Sequence, residues 1–124
     1  MKLLLLAAIT VLISSCQSKE EILHEQYVIE GRIQYENNCA NCHQSTGQGL
    51  RNLYPAINKS QMTASQLAKL IKQGRKSDTG YMPANPKLQA IDIAEIITFM
   101  RHEWGKNEQT FSFDSTRIVL KEFN

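Results

Sequence analysis

The stretch that decides the fold is Cys39-Ala40-Asn41-Cys42-His43. Its two thiols can each add to one vinyl group of a porphyrin, because the two-residue spacer matches the separation of those groups. The imidazole that follows then lies under the ring centre, where a ring nitrogen can bind iron. Cys-x-x-Cys-His is the typical pattern for covalent haem attachment. It predicts one haem c on Cys39 and Cys42, with His43 as an axial ligand of the iron.

Other uses of paired cysteines fit this sequence less well. A zinc knuckle needs a second Cys/His pair, but the remaining cysteine is Cys16, and His24 and His102 are too far apart to form such a pair. A thioredoxin-like motif needs a preceding strand, whereas the residues before the motif have a helical pattern. A disulfide between Cys39 and Cys42 would close a very short, strained loop. We expect both remaining histidines to be surface residues.

The first residues of the chain predict export. Met1-Lys2 is followed by an uncharged run of 11 residues, Leu3–Ile13, which is long enough for a signal peptide and too short for a membrane span of about 20 residues. Ile13-Ser14-Ser15-Cys16 resembles a bacterial lipobox, so we predict a signal peptide over 1–15 and lipid on Cys16. An ordinary cleavage site beside an unmodified cysteine, or a free thiol, is the alternative.

Export agrees with the haem prediction, because bacteria attach haem c outside the cytoplasmic membrane. The expected location is therefore a membrane-anchored lipoprotein that faces the periplasm or the outer face of the cytoplasmic membrane. The full chain has 14 Lys+Arg and 12 Asp+Glu, and loss of the signal peptide removes only Lys2. A nearly neutral mature protein argues against a nucleic-acid role.

The mature chain has the length of one small domain, whose core is marginal alone. Residues 16–26 are polar and predict a lipidated tether, or else the start of the first helix. Periodic apolar positions predict helices over 27–38, 64–73 and 90–104. Thr63 begins a capping box for the second of these helices. A buried porphyrin would give all three an apolar surface on which to pack.

The segments between and after these helices lack helical periodicity. Residues 44–62 and 75–87 contain glycine and proline and are predicted to be irregular loops. Residues 106–124 are predicted to be an extension, either a hairpin with a short strand over 117–120 or a loose tail. The domain itself is expected to span 27–105.

On these residues the chain resembles the class I cytochrome c family, in particular its small membrane-anchored bacterial members. Gly31 and Tyr35 precede the motif as the family's glycine and aromatic do, and Ile96 and Phe99 match the residues that the last helix places against them. The resemblance covers about residues 27–105. It implies an all-α cytochrome c fold, with three main helices and long loops around one covalent haem. Gly31 would then mark a close helix crossing.

The second axial ligand of the iron is expected to be a methionine. Met100 lies on an apolar helical stripe and is expected in the core, while Met62 precedes a helix cap and Met82 lies in a loop before Pro83. Chemistry alone leaves Met62 and Met82 open. The segment 80–86 resembles the family's distal methionine loop, and this resemblance implies Met82.

Two further expectations come from the resemblance. It implies that the Pro55 carbonyl accepts a hydrogen bond from the second ring nitrogen of His43, although Pro55 is otherwise an ordinary loop proline. Gln89 departs from the Ser or Thr that relatives often place before the last helix, which puts the geometry of that helix in question.

Together these features predict an electron carrier, not an enzyme, that exchanges electrons with respiratory or dehydrogenase partners. Two other functions remain open. One is a fixed cytochrome subunit of an oxidase or dehydrogenase complex, with 106–124 as the interaction element. The other is a ligand-binding haem protein, if Met82 does not bind the iron.

The chain also has one dense basic stretch, which consists of Lys69, Lys72, Arg75, Lys76 and Lys87. This stretch is either a solvated helix end or a docking surface for an acidic partner.

Overall fold

The structure is a computed structural model that describes residues 17–78 and 80–122. The predicted signal peptide, 1–15, and the predicted lipid site, Cys16, lie outside the described residues. The elements in chain order are α1 Lys19–Asn38, α2 Ala40–His43, α3 Ala64–Gln73, β1 Arg75–Ser77, β2 Gly80–Met82, α4 Ala90–Glu103 and α5 Phe113–Lys121. This mostly helical architecture confirms the prediction of an all-α fold. Within the described ranges, no helix combines the length and the apolar character that crossing a bilayer requires.

Helix α1 begins earlier than a tether over 16–26 would allow. The Ser18 hydroxyl accepts a hydrogen bond from the Glu21 backbone N–H at 3.1 Å, and the Glu21 carboxylate accepts one from the Ser18 N–H at 2.8 Å. This capping box satisfies backbone groups that a helix start leaves unpaired. Residues from Lys19 onward are therefore helical, and of the two expectations for this segment the continuation of the first helix is correct.

The core is organised by the crossing of α1 and α4 at Gly31. A Cβ atom on Gly31 would overlap the backbone carbonyl of Glu95 and lie 2.8 Å from Cβ of Phe99. Next to the crossing, the rings of Tyr35, Phe99 and Trp104 contact one another with centroids 5.3–5.6 Å apart. Aromatic pairs at this spacing add to the stability gained by burial.

Helices α3 and α4 begin at the positions that the sequence predicts. Thr63 and Gln66 form the expected capping box of α3. At the start of α4 the Asp92 carboxylate accepts a hydrogen bond from the Gln89 N–H at 2.7 Å. The carboxylate in the first turn therefore provides the cap for which Gln89 is poorly suited, and the helix begins at Ala90 as expected.

The prediction for residues 106–124 is wrong, because this segment contains helix α5 and is neither a hairpin nor a loose tail. The Ser112 hydroxyl caps α5 by accepting from the Ser115 N–H at 3.2 Å. The alternation in Phe111-Ser112-Phe113 suggested a strand, but it marks the boundary between an extended segment and a capped helix.

The C-terminal segment is also attached to the core. The Phe111 N–H donates to the hydroxyl of the fully buried Thr98 at 3.0 Å. Val119 and Leu120 of α5 pack against the same core cluster. The segment therefore packs on the same core as the helices that precede it.

The segment 75–87 is less irregular than the sequence indicates. Strands β1 and β2 form a short antiparallel hairpin in which Arg75 pairs with Met82. Pro83 follows the hairpin directly and cannot donate a further ladder hydrogen bond.

We predict that Gly31→Ala lowers the free energy of unfolding by about 3 kcal/mol, because the two helix backbones must separate to admit the methyl group. Gly80→Ala is the matched control, because a Cβ there meets no atom within 4 Å, and its effect should stay within about 0.5 kcal/mol. Denaturant titration of the haem-loaded protein measures both. Equal midpoints for the two variants would show that the crossing at Gly31 is not close-packed.

Candidate functional site

The Cys-x-x-Cys-His motif forms one tight turn at the end of α1. The Cys39 N–H donates to the Tyr35 carbonyl at 2.8 Å, and the His43 N–H donates to the Cys39 carbonyl at 2.9 Å. Both Cys39 and Cys42 are half-buried, and neither forms a disulfide. The turn therefore places two free thiols and one imidazole within the five consecutive residues 39–43.

The environment of Cys39 does not favour a thiolate. Burial, and secondarily the neighbouring Cys42, raise the pKa of the Cys39 thiol to about 12. Zinc binding and dithiol redox chemistry both use the thiolate form and favour a lowered pKa. The Cys39 thiol is therefore protonated at neutral pH in its half-buried site.

The imidazole of His43 is buried and oriented by the backbone. Its Nδ1 atom lies 3.0 Å from the carbonyl oxygen of Pro55. A carbonyl can only accept, so Nδ1 carries the proton in this contact and Nε2 keeps its lone pair. Metal-binding histidines typically have this second hydrogen bond, which fixes the ring and raises the basicity of the ligand nitrogen.

The loop that carries Pro55 depends on Gly49. Gly49 has a φ of +68°, and a Cβ atom there would overlap the backbone of Tyr54 and Pro55. Its N–H also donates to the His43 carbonyl at 2.9 Å. Sequence reasoning missed this role, because a glycine in a loop is indistinguishable from an ordinary chain breaker until the approaching backbone is known.

Tyr35 joins the site to the aromatic core. Its hydroxyl donates to the Gln44 carbonyl at 2.7 Å, directly after the motif. Burial is the main cause that raises the pKa of this phenol above its ordinary value, with Cys39 and Glu36 adding to the shift. The phenol therefore remains a hydrogen-bond donor at neutral pH.

The three methionines that the structure describes fall into two groups. Met100 is 7% exposed and belongs to the core, as the sequence predicts. Met62 and Met82 are both half-buried and pack against the edge of that core. Met82 ends β2, where the pairing with Arg75 fixes its backbone. The selection of Met82 over Met62 as an iron ligand stays a prediction.

Two expectations about surface residues are corrected. His24 is buried, and its Nδ1 lies 3.0 Å from the Thr110 hydroxyl. No local pattern signals this contact, because the two residues are far apart in sequence. Lys72 is not a free surface cation, because its Nζ donates to the carbonyls of Pro86 and Leu88 at 3.0 and 2.8 Å.

The residues present fit a covalent haem. Two unpaired thiols can attach a porphyrin covalently, and the oriented His43 imidazole can bind its iron. Met62 and Met82, at the edge of the same core, offer thioether ligands. Fold and site together define a c-type cytochrome domain.

A comparison with known protein families also indicates a c-type cytochrome. The family model described as cytochrome c oxidase, cbb3-type, subunit III matches residues 28–100, more than half of the chain. The chain therefore belongs to this cytochrome c family. Membership supports a haem-based electron-transfer role and implies covalent haem c. A search of curated proteins found no match.

Proposed function

We propose that the protein is an electron-transfer cytochrome that carries one haem c. Cys39 and Cys42 would form the thioethers, and His43 and Met82 would bind the iron. The observation that carries this proposal is the contact between His43 Nδ1 and the Pro55 carbonyl. This contact leaves Nε2 able to bind a metal, in a turn whose cysteines are free.

Each residue of the site would contribute a distinct property. Haem c, when bound, supplies an iron that exchanges one electron between the ferrous and ferric states. A histidine and a methionine on the iron leave no open position for a substrate, which favours a carrier over an enzyme. A thioether ligand and a buried site raise the reduction potential, and Pro55 keeps the His43 ring in one orientation.

We predict one haem per chain, bound covalently through Cys39 and Cys42. Acid-acetone treatment should leave the haem on the polypeptide, and the intact mass should exceed that of the mature chain by one haem. Cys39→Ala with Cys42→Ala should release the haem under the same treatment. Free extraction of haem from the wild-type protein would contradict the proposal.

We predict that Met82→Ala lets the reduced protein bind CO and lowers its potential by on the order of 0.1 V, within the ~0.8 V range set by axial ligands. Met62→Ala is the matched control, because Met62 has similar burial at the same core edge. It should leave the spectrum and potential unchanged. The reverse result would assign Met62 as the ligand, and CO binding by the untreated wild type would favour a ligand-binding haem protein.

We propose that lipid on Cys16 holds the protein at the outer face of a membrane. The support is the lipobox-like stretch 13–16 after an uncharged run. Cys16→Ser should move the exported protein from the membrane fraction to the soluble fraction, because several acyl chains anchor stably and none remains in the variant. Tight membrane association of the variant would mean that another interaction holds it.

We propose that the redox partner docks on exposed cations near the hairpin. Arg75, Lys76 and Lys87 are exposed, whereas Lys72 bonds to backbone carbonyls. Lys69, the remaining member of the basic stretch, is half-buried. The proposed docking surface therefore consists of the three exposed side chains. Charges of this kind act mainly on the association rate and are screened by salt over about 8–10 Å.

We predict that Lys76→Gln with Lys87→Gln lowers the bimolecular rate of electron transfer at low salt and flattens its salt dependence. Lys19→Gln with Lys121→Gln makes the same change in net charge at other exposed positions and should have little effect. Stopped-flow rates of a soluble form with an acidic redox protein measure both. Equal rate losses in the two double variants would exclude a local docking surface.

A fixed cytochrome subunit is the second candidate, and membership of a family described as an oxidase subunit favours it. The idea that residues 106–124 are a free interaction element is less attractive, because α5 packs on the core of the same domain. Co-purification of stoichiometric oxidase or dehydrogenase subunits after mild detergent extraction would support this candidate over a free carrier.

A further inference from the structure

Three metal-ligating side chains converge at a place that the haem does not use. His24 Nε2 lies 3.4 Å from His102 Nδ1 and 3.4 Å from Glu108 Oε2, and His102 Nδ1 lies 3.1 Å from the same carboxylate oxygen. This is the only group of three or more such residues found within residues 17–78 and 80–122 that could hold a metal ion. Its ligands come from the first turns of α1, the end of α4 and the segment before α5.

The three distances match the face of a tetrahedron. Zinc binds imidazole nitrogen and carboxylate oxygen at about 2.0–2.2 Å, so adjacent ligand atoms around a tetrahedral ion lie about 3.3–3.5 Å apart. The observed 3.1–3.4 Å separations are close to these values. One ion can therefore reach all three atoms with little movement of the side chains.

The buried histidine already has the second hydrogen bond of a metal ligand. His24 Nδ1 lies 3.0 Å from the Thr110 hydroxyl, while its Nε2 is directed at the other two groups. A proton on Nδ1 leaves the Nε2 lone pair available. Metal-binding histidines are typically oriented in this way.

Hydrogen bonds among these three ligand atoms would satisfy them less well than a bound cation does. If both ring nitrogens carry protons, each can donate to Glu108, but the two N–H groups then face each other at 3.4 Å. If only one is protonated, a lone pair of the other faces the carboxylate oxygen at 3.1–3.4 Å. A divalent ion at the centre accepts electron pairs from all three atoms at once.

The surroundings favour a cation and give it access. The groove over the cluster is also lined by Glu20, Glu21 and Glu25. Glu108 is largely exposed, with 72% of its side chain accessible, so this ligand can close on an ion that arrives from solvent. His24, in contrast, is buried, and its contact with the Thr110 hydroxyl fixes its ring.

We propose that His24, His102 and Glu108 form a site for a divalent transition metal, best suited to Zn²⁺, with one coordination position left to water. The site lies about 22 Å along α1 from Cys39, at 1.5 Å per helical residue, and is separate from the haem ligands. A bound ion would tie the start of α1 to the end of α4 and to the segment that leads into α5. It would therefore stabilise the docking of the C-terminal segment.

The test uses the haem-loaded protein without a polyhistidine tag, so that Cys39 and Cys42 are not free to bind zinc. Calorimetric titration with ZnCl₂ should give one site per chain, and MgCl₂ should give none, because imidazole ligands suit zinc and oxygen ligands suit magnesium. His102→Gln and Glu108→Gln should each weaken zinc binding at least tenfold. Glu20→Gln is the matched control: it removes a carboxylate from the same groove, is not part of the cluster, and should leave the affinity within about twofold.

X-ray absorption at the zinc edge should show nitrogen and oxygen neighbours at about 2.0–2.1 Å with imidazole scattering and no sulfur. The haem spectrum should not change on zinc addition. Because the haem spectrum and the zinc titration are separate readouts, the haem proposal and the zinc proposal can fail independently.

Several results would overturn the inference. One is absence of one-site zinc binding by the wild type. Others are wild-type affinity in both His102→Gln and Glu108→Gln, an equal loss in Glu20→Gln, or a sulfur shell at the zinc edge. The two ligand variants alter partly exposed side chains, and circular dichroism of each should match the wild type. The test therefore does not depend on replacing the buried His24.

Discussion

The contact on which the rest of the structure depends is the crossing of α1 and α4 at Gly31. No side chain separates the two backbones there, because even a methyl group would overlap the Glu95 carbonyl. This approach brings Tyr35 against Phe99 and Trp104. It also fixes the end of α1, and the haem-attachment motif begins at the residue that follows that helix.

The candidate site continues from the packed helices α1 and α4 into the loop that follows the Cys-x-x-Cys-His motif. Tyr35 bonds to the backbone just after the motif, and Gly49 holds the loop close enough for Pro55 to orient His43. The aromatic core and the His43 imidazole are therefore coupled through three hydrogen bonds, each of which is accepted by a backbone carbonyl. A carrier benefits from such a rigid site, because electron exchange then needs little rearrangement around the iron.

The C-terminal segment packs on the same core as α1 and α4. It reaches the core through Phe111 and Thr98, and it supplies Thr110 and Glu108 to the neighbourhood of His24. A metal ion at that cluster would add a further link between α1 and the C-terminal segment. The proposed zinc site would then act on the stability of the domain, while the haem carries its function.

The sequence by itself determined the helical class and the starts of α3 and α4, and it contains the Cys-x-x-Cys-His motif, whose use for haem attachment stays a prediction. These features depend on neighbours within a few residues, such as the Cys-x-x-Cys-His spacing, the Thr63 capping box and the apolar stripe around Met100. The His43–Pro55 contact was implied only by resemblance to a family. The lipid on Cys16 and the choice of Met82 over Met62 remain predictions.

Only the tertiary structure decided the features that join distant segments. Helix α5 is not predicted by the sequence, because Phe111-Ser112-Phe113 has the alternation of a strand although Ser112 caps a helix. The residues against which α5 packs lie in other helices. Lys72 proved to bond to backbone carbonyls, and His24 to lie buried beside His102 and Thr110. The physical reason is the same in each case: a side chain's role follows from the groups that folding brings to it, and residues 78 and 86 positions away leave no local pattern around His24.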